Sequence, residues 1–215
     1  PDTAVLPLLN GMRHLDLLGE RFGRGAVLGG YCLISATVDL QGHIHHVSEL
    51  HSLIFGALSG SAMERLDGIA DALSGAGFDA RSSSEIVQEM WEKWVFIASL
   101  ASATCLMRSP IGAILAAGGE GFVRRLFEEC SRIAAENGYP PSESARQRSL
   151  GIMTTSGSRL SASMLHDIER GAPTEGDHIL GDLLARGGIA ADDPASHLAL
   201  AYMHVRAYEA RRGAS

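Results

Sequence analysis

The chain has 215 residues, 46% hydrophobic and 20% charged, with a formal net charge of -7, so it can bury one large or two small cores. The acidic balance and the lack of a dense basic run exclude a general nucleic-acid binder, which needs a positive surface field. No uncharged apolar run reaches the roughly 18 residues of a membrane helix. Cys32, Cys105 and Cys130 make neither a CxxC pair nor an even disulfide set, which predicts a reducing, cytoplasmic setting.

The chain begins PDTAVLPLLNGM instead of with methionine and reads as part of a longer polypeptide. Residues 3–9 form an apolar, strand-like run ending at Asn10-Gly11, a turn dipeptide, and His14 to Phe22 then reads as a short helix closed by Gly23. Three strands follow, in AVLGGYCLISATV, HIHHVSEL and SLIFGAL, with DLQGH as the hairpin connection between the first two. After Ser61, ERLDGIADALSGAG has helical periodicity, and FDARSS is a short extended segment. From Ser84 the pattern is helical throughout. Ser84-Glu85 marks the start of a long apolar helix, EIVQEMWEKWVFIASLASATCLM, that runs without Gly or Pro to Arg108-Ser109-Pro110. Further helices are predicted at PIGAILA, EGFVRRLFEECSRIAAENG, around SASMLHDIERG, at EGDHILGDLLARGG and from Pro194 to Arg212. The division is a mixed α/β part over residues 1–83 and an all-helical part over 84–215, with no internal repeat.

Of eighteen basic residues seventeen are arginine, and the single lysine, Lys93, lies in the long helix. Arginine stays protonated, whereas an ammonium can release a proton once burial or neighbours shift its pKa, so Lys93 is the basic side chain suited to act as an acid. A compositional bias toward arginine is the alternative explanation. His43, His45, His46 and His51 crowd one hairpin, and alternation puts His43 and His45 on one face. No carboxylate or cysteine completes a familiar metal spacing, so solvent-facing histidines are expected there and a metal site is the remote alternative. The glycines at 23, 25, 29 and 30 contain no GxGxxG or GK[ST] and precede a strand, which marks them as turn and packing residues. In SASMLHDIERGAPTEGDHILG, hydroxyls, a carboxylate and a turn fall within one connection; Glu175 opens the next helix there, as either a site residue or a favourable charge at a helix start.

Taken together, LLNGM at residues 8–12, EMWEKWVFIASLASATCLMRSPIG at 89–112 and SASMLHDIERGAPTEGDHILG at 161–181 resemble the ketopantoate reductase (2-dehydropantoate 2-reductase) family of pantothenate biosynthesis, over essentially the whole chain. The resemblance implies the C-terminal part of a Rossmann-type, NADPH-binding domain over residues 1–83. It also implies, over 84–215, a helical substrate domain similar to the C-terminal domain of 6-phosphogluconate dehydrogenase. It makes Lys93 the catalytic proton donor and a substrate contact, Asn10 a cofactor and substrate contact, Ser163 a substrate contact, and Ala36 and Glu175 cofactor contacts.

Two departures stand out. Four and eight residues beyond Lys93, where the family presents asparagines to its substrate, this chain has Ile97 and Ala101, and Ile111 replaces a third asparagine. Each lost amide donor removes about 1 kcal/mol of binding to a polar hydroxy acid, so an apolar wall and a less polar keto substrate are expected. The family's GxGxxG turn and about half of its Rossmann domain would precede Pro1, so this polypeptide in isolation is expected to bind NADPH poorly and to lack reductase activity. A helical interaction module that keeps the fold without the chemistry is the second reading. Domains of this family often pair, and Ala98, Ser99, Ala101, Ser102 and Ala103 would permit close packing either in a homodimer or within one chain.

Overall fold

The computed structural model describes residues 3–39, 41–58 and 65–213, in two units that divide at 90/91. In the first unit the strand expected over residues 3–9 shrinks to one parallel bridge between Val5 and Val27, fixed by Val5 N–H to Ala26 O (2.8 Å) and Leu28 N–H to Val5 O (2.9 Å). Pro7 has no N–H to continue a ladder. Helix α1, Arg13–Phe22, ends at Gly23 as its sequence predicts.

Two strands replace the three expected. β1, Leu28–Val38, runs antiparallel to β2, Ile44–Ala57, and β2 continues through the break expected after Leu50. The ladder instead jumps from Ala36↔His46 to Ile34↔His51, so residues 47–50 are taken up by a bulge. At the hairpin, Asp39 Oδ1 accepts the backbone N–H groups of Gln41 (2.9 Å) and His43 (2.8 Å), the local bonding that favours Asp in turns. Helix α2, Leu66–Leu73, crosses to β3, Asp79–Ser82, which pairs parallel to β2 from Ser52↔Asp79 to Phe55↔Ser82. Ser61 and Glu64, at the expected start of α2, lie outside the described residues. The sheet order is β1-β2-β3.

β2 passes close under the turn that follows β3. A Cβ on Gly56 would sit 2.2 Å from the Ser83 carbonyl oxygen, so only glycine fits. That turn launches α3, Ile86–Met107. Its start is set one residue earlier than Ser84: the Ser83 hydroxyl accepts from Glu85 N–H (3.0 Å) and donates to Glu89 Oε1 (2.6 Å). Glu89 also accepts from Tyr31 on β1 (2.9 Å) and from both Arg81 nitrogens on β3 (3.2 and 2.6 Å), so one carboxylate ties the helix to two strands.

The second unit is helical. It comprises the rest of α3, then α4 Ile111–Ala116, α5 Glu120–Glu136, α6 Glu143–Met153, α7 Ser163–Glu169, a π-helical turn Asp177–Gly181 running into α8 Asp182–Arg186, and α9 His197–Gly213. α6 is the one helix absent from the expected set. The Ser142 side chain caps it by accepting from Ala145 N–H (3.3 Å). The carboxylate of Glu129 on α5 performs the same service for α9, accepting from His197 N–H (3.1 Å) and Leu198 N–H (3.3 Å). Ala98, Ser99, Ala101, Ser102 and Ala103 are all at least 97% buried within the one chain, so same-chain packing already uses the small residues.

Burial opposes ionisation of Glu89, but hydrogen bonds from Arg81, Ser83 and Tyr31 and the Arg81 charge outweigh it and hold its carboxyl below the ordinary value. A depressed folded-state pKa stabilises above the unfolded value and is lost as pH falls through the folded one. Glu89→Gln should therefore cost roughly 1–2 kcal/mol in urea unfolding at pH 7. The difference from wild type should shrink once pH drops below the ordinary glutamate value of 4.5.

Candidate active site

From Ile86 to Leu106 no residue of α3 is exposed, and within Trp91–Met107 the charged side chains are Glu92 and Lys93 alone. Lys93 is half-buried between Trp91 and Trp94, which are 2% and 1% exposed. The two indoles meet at 4.9 Å, Trp91 stacks on Tyr139 at 5.6 Å, and the Arg186 guanidinium lies over Trp94 at 5.6 Å. Lys93 thus springs from a stretch of helix that packing holds on both sides. Glu92 accepts the backbone N–H of Ser142 (2.9 Å), just ahead of α6.

Two later segments are hydrogen-bonded to the same helix. The Trp94 indole N–H donates to Ile179 O (3.0 Å), and Ile179 N–H donates to Glu175 O (2.8 Å), so the Glu175 segment meets α3 at the residue next to Lys93. Glu175 itself is exposed, and the chain just before it is held by Thr174 N–H donating to Glu209 Oε1 on α9 (2.6 Å). A cavity of about 410 Å³ opens beside this segment, bordered by Thr174, Asp177, Arg206 and Glu209. Ala162 N–H donates to the Thr104 hydroxyl (3.3 Å), which places Ser163, the exposed first residue of α7. Thr104 lies ten residues beyond Trp94, about 15 Å along the helix axis, so Ser163 and Glu175 approach α3 at different levels.

Asn10 belongs to the first unit, half-buried in the bend ahead of α1 beside Gly11, whose φ is +74°. Ala36 lies inside β1, exposed and paired with His46 beyond the bulge. The indole of Trp94 and the hydroxyl of Thr104 are the groups that sequence reasoning passed over. The signal for the first was its place directly after Lys93 in WEKW; Thr104 gave none.

The other candidate chemistries find different partners. The ring nitrogens of His43 and His45 reach Asp39 Oδ2 at 3.1 and 2.8 Å, and His46 packs edge-on against His51 at 5.0 Å. No group of three or more His, Cys, Asp or Glu side chains among the described residues is arranged to hold a metal ion. Burial pushes the thiols of Cys105 and Cys130 up to about 12, which keeps them protonated and removes them as nucleophiles. No described helix is long and apolar enough to cross a membrane.

Residues 85–209 match the family model of the ketopantoate reductase PanE/ApbA C-terminal region, and residues 1–60 match that of ketopantoate reductase PanE/ApbA. The chain belongs to the ketopantoate reductase family. An uncharacterized oxidoreductase of Bacillus subtilis, YkpB, is 34% identical over 219 residues, covering 98% of this chain and 70% of that protein. Among solved structures, 2-dehydropantoate 2-reductase from Methylococcus capsulatus superposes with a TM-score of 0.84 at 28% identity, over all of this chain and 68% of that one. D-mandelate dehydrogenase, solved with NADH and anilino(oxo)acetate, shares the fold at 19% identity with a TM-score of 0.82, over 99% of this chain and 69% of that one. The chain thus spans about two thirds of the length of each. The fold class is the α/β part of a Rossmann domain followed by a helical C-terminal domain, as in the ketopantoate reductase structures. Relatives named as oxidoreductases do not favour the non-catalytic module.

Of the three positions at which the resemblance implies asparagines, Ala101 is 3% exposed and Ile111 0%. Both are part of the helical core, and Ile111 N–H is committed to Leu160 O (2.9 Å). Ile97 alone keeps some exposure.

Proposed function

We propose that the full-length protein reduces a 2-oxo acid or related ketone, with Lys93 as the proton donor. The observation that carries this reading is the chain's only lysine, half-buried on a long, mainly apolar helix at the position that resembles the family's catalytic lysine. The cofactor, when bound, supplies a hydride to the carbonyl carbon. As negative charge builds on the ketone oxygen, the Lys93 ammonium donates a proton from Nζ to it, leaving an alcohol and a neutral amine. Partial exposure lets that amine regain its proton from water. Before reaction the same positive charge attracts a substrate carboxylate.

By resemblance Asn10, Glu175 and, through its backbone, Ala36 are assigned to the nicotinamide dinucleotide; Glu175 is exposed at the start of a helical turn. NADPH is the form the resemblance implies. No GxGxxG occurs within the 215 residues, so these groups address the cofactor without supplying its pyrophosphate turn. Ser163, exposed at the head of α7, is assigned to the substrate. The keto substrate is less polar than ketopantoate on the side facing Ile97. Three cysteines, an odd number with no CxxC spacing, suit a reducing cytoplasm.

In the full-length protein, Lys93→Ala should lower kcat with NADPH and the best ketone by about 100-fold or more, the usual worth of a positioned acid. A variant that kept most of its kcat would remove the lysine from the mechanism. Ile97→Asn should raise kcat/KM for hydroxylated relative to unhydroxylated 2-oxo acids by roughly fivefold, the worth of one neutral hydrogen bond. Competition between the two substrates measures this ratio directly.

A further inference from the structure

The turn that follows Glu175 is a π-helix, a wide turn with hydrogen bonds reaching five residues back, which is uncommon and tends to occur at functional sites. It is held from two sides. On one, the buried Trp94 indole N–H donates to Ile179 O at 3.0 Å. On the other, the turn is bounded by Gly176 and Gly181, where a Cβ would sit 2.4 Å from Val205 Cγ1 and 2.8 Å from the Tyr202 hydroxyl, so both ends press against α9. The Tyr202 hydroxyl also donates to Asp177 Oδ1 (2.8 Å). Ile179, 2% exposed, sits between: its carbonyl takes the indole proton and its own N–H donates to Glu175 O at 2.8 Å. Two hydrogen bonds through one residue therefore join the side chain next to Lys93 to the backbone of Glu175.

We propose that Trp94 is a positioning residue: its indole N–H fixes the π-helical turn that sets Glu175, coupling the cofactor contact to the helix that carries the proton donor. This rests on the functional reading above for the roles of Lys93 and Glu175. Trp94 touches neither substrate nor cofactor in this account. Its aromatic contacts with Trp91 and Arg186 supply packing, which phenylalanine largely keeps, whereas the N–H is what phenylalanine lacks.

The test is Trp94→Phe in the full-length protein, read by amide hydrogen exchange and by steady-state kinetics. Protection of the amides over residues 176–181 should fall about five- to tenfold, and KM for NADPH should rise by a similar factor with kcat nearly unchanged, as loss of one net hydrogen bond implies. Combined with Glu175→Gln, the two effects on KM should be less than additive, because both act through one contact. Unchanged protection over 176–181, or a KM unchanged while protection falls throughout the helical domain, would overturn the proposal. Should Trp94→Phe fail to fold, the wild-type Trp94 indole N–H decides by NMR: slow exchange supports the bond, and exchange as fast as free indole overturns it. If Lys93→Ala left kcat intact while Trp94→Phe still loosened 176–181 alone, the assigned reaction would be at fault and the Trp94 link upheld.

Discussion

A helix buried along most of its length depends on finding partners within the protein for the polar groups on its enclosed face, since water does not reach them. α3 does so at Trp94, Ser99 and Thr104, while its buried Ser102 hydroxyl finds no hydrogen-bond partner among the described residues. Ser99 and Thr104 return their hydroxyls to the carbonyls of Val95 (2.7 Å) and Leu100 (2.8 Å), one turn back along the helix. Trp94 spends its N–H on Ile179 O, and the Thr104 oxygen takes the N–H of Ala162. The last two bonds are the ones that fix the segments bearing Glu175 and Ser163. What the buried helix needs for its own stability is therefore also what arranges the candidate site around it.

The first turn of α3 obeys the same rule with charge. Glu89 is held by a tyrosine, a serine and an arginine from the sheet and the turn beside it, a cluster that stands or falls as a unit. The helix end is less comfortable. Arg108 closes α3 with φ of +50°, a left-handed conformation usually given to glycine, while Ser109 N–H returns to Thr104 O at 3.2 Å. Nothing in the structure explains why arginine occupies that position.

Much of this was legible in the residues because the long helix has no Gly or Pro and begins and ends with clear signals. The mixed first part, the helical second part and the place of Lys93 followed from that. What stayed hidden depended on tertiary partners. β2 runs through His51 because β1 offers it a ladder on both sides of a bulge, which alternation within one strand cannot show. α6 has mixed polarity and buries Ala145 and Met153, with the Ser142 cap and the exposed Arg146–Glu128 pair (2.7 Å) as polar contacts, so it carried no strong apolar stripe to find. The π-helical turn lies inside a segment that reads as ordinary helix, and only its two flanking glycines hint at the squeeze against α9. Ile97, Ala101 and Ile111 look equivalent as replacements of asparagine, yet core packing claims two of them and leaves one half-buried.

In the role proposed for it, Lys93 acts by giving up a proton and not merely by being positive. Arginine separates these, because it keeps the charge and holds its proton at any working pH. In the full-length protein, Lys93→Arg is predicted to retain KM for the keto acid within a few-fold while kcat falls by about 100-fold, the contribution of a general acid. Lys93→Arg turning over at close to the wild-type kcat would rule out proton donation and reduce the lysine to an electrostatic anchor.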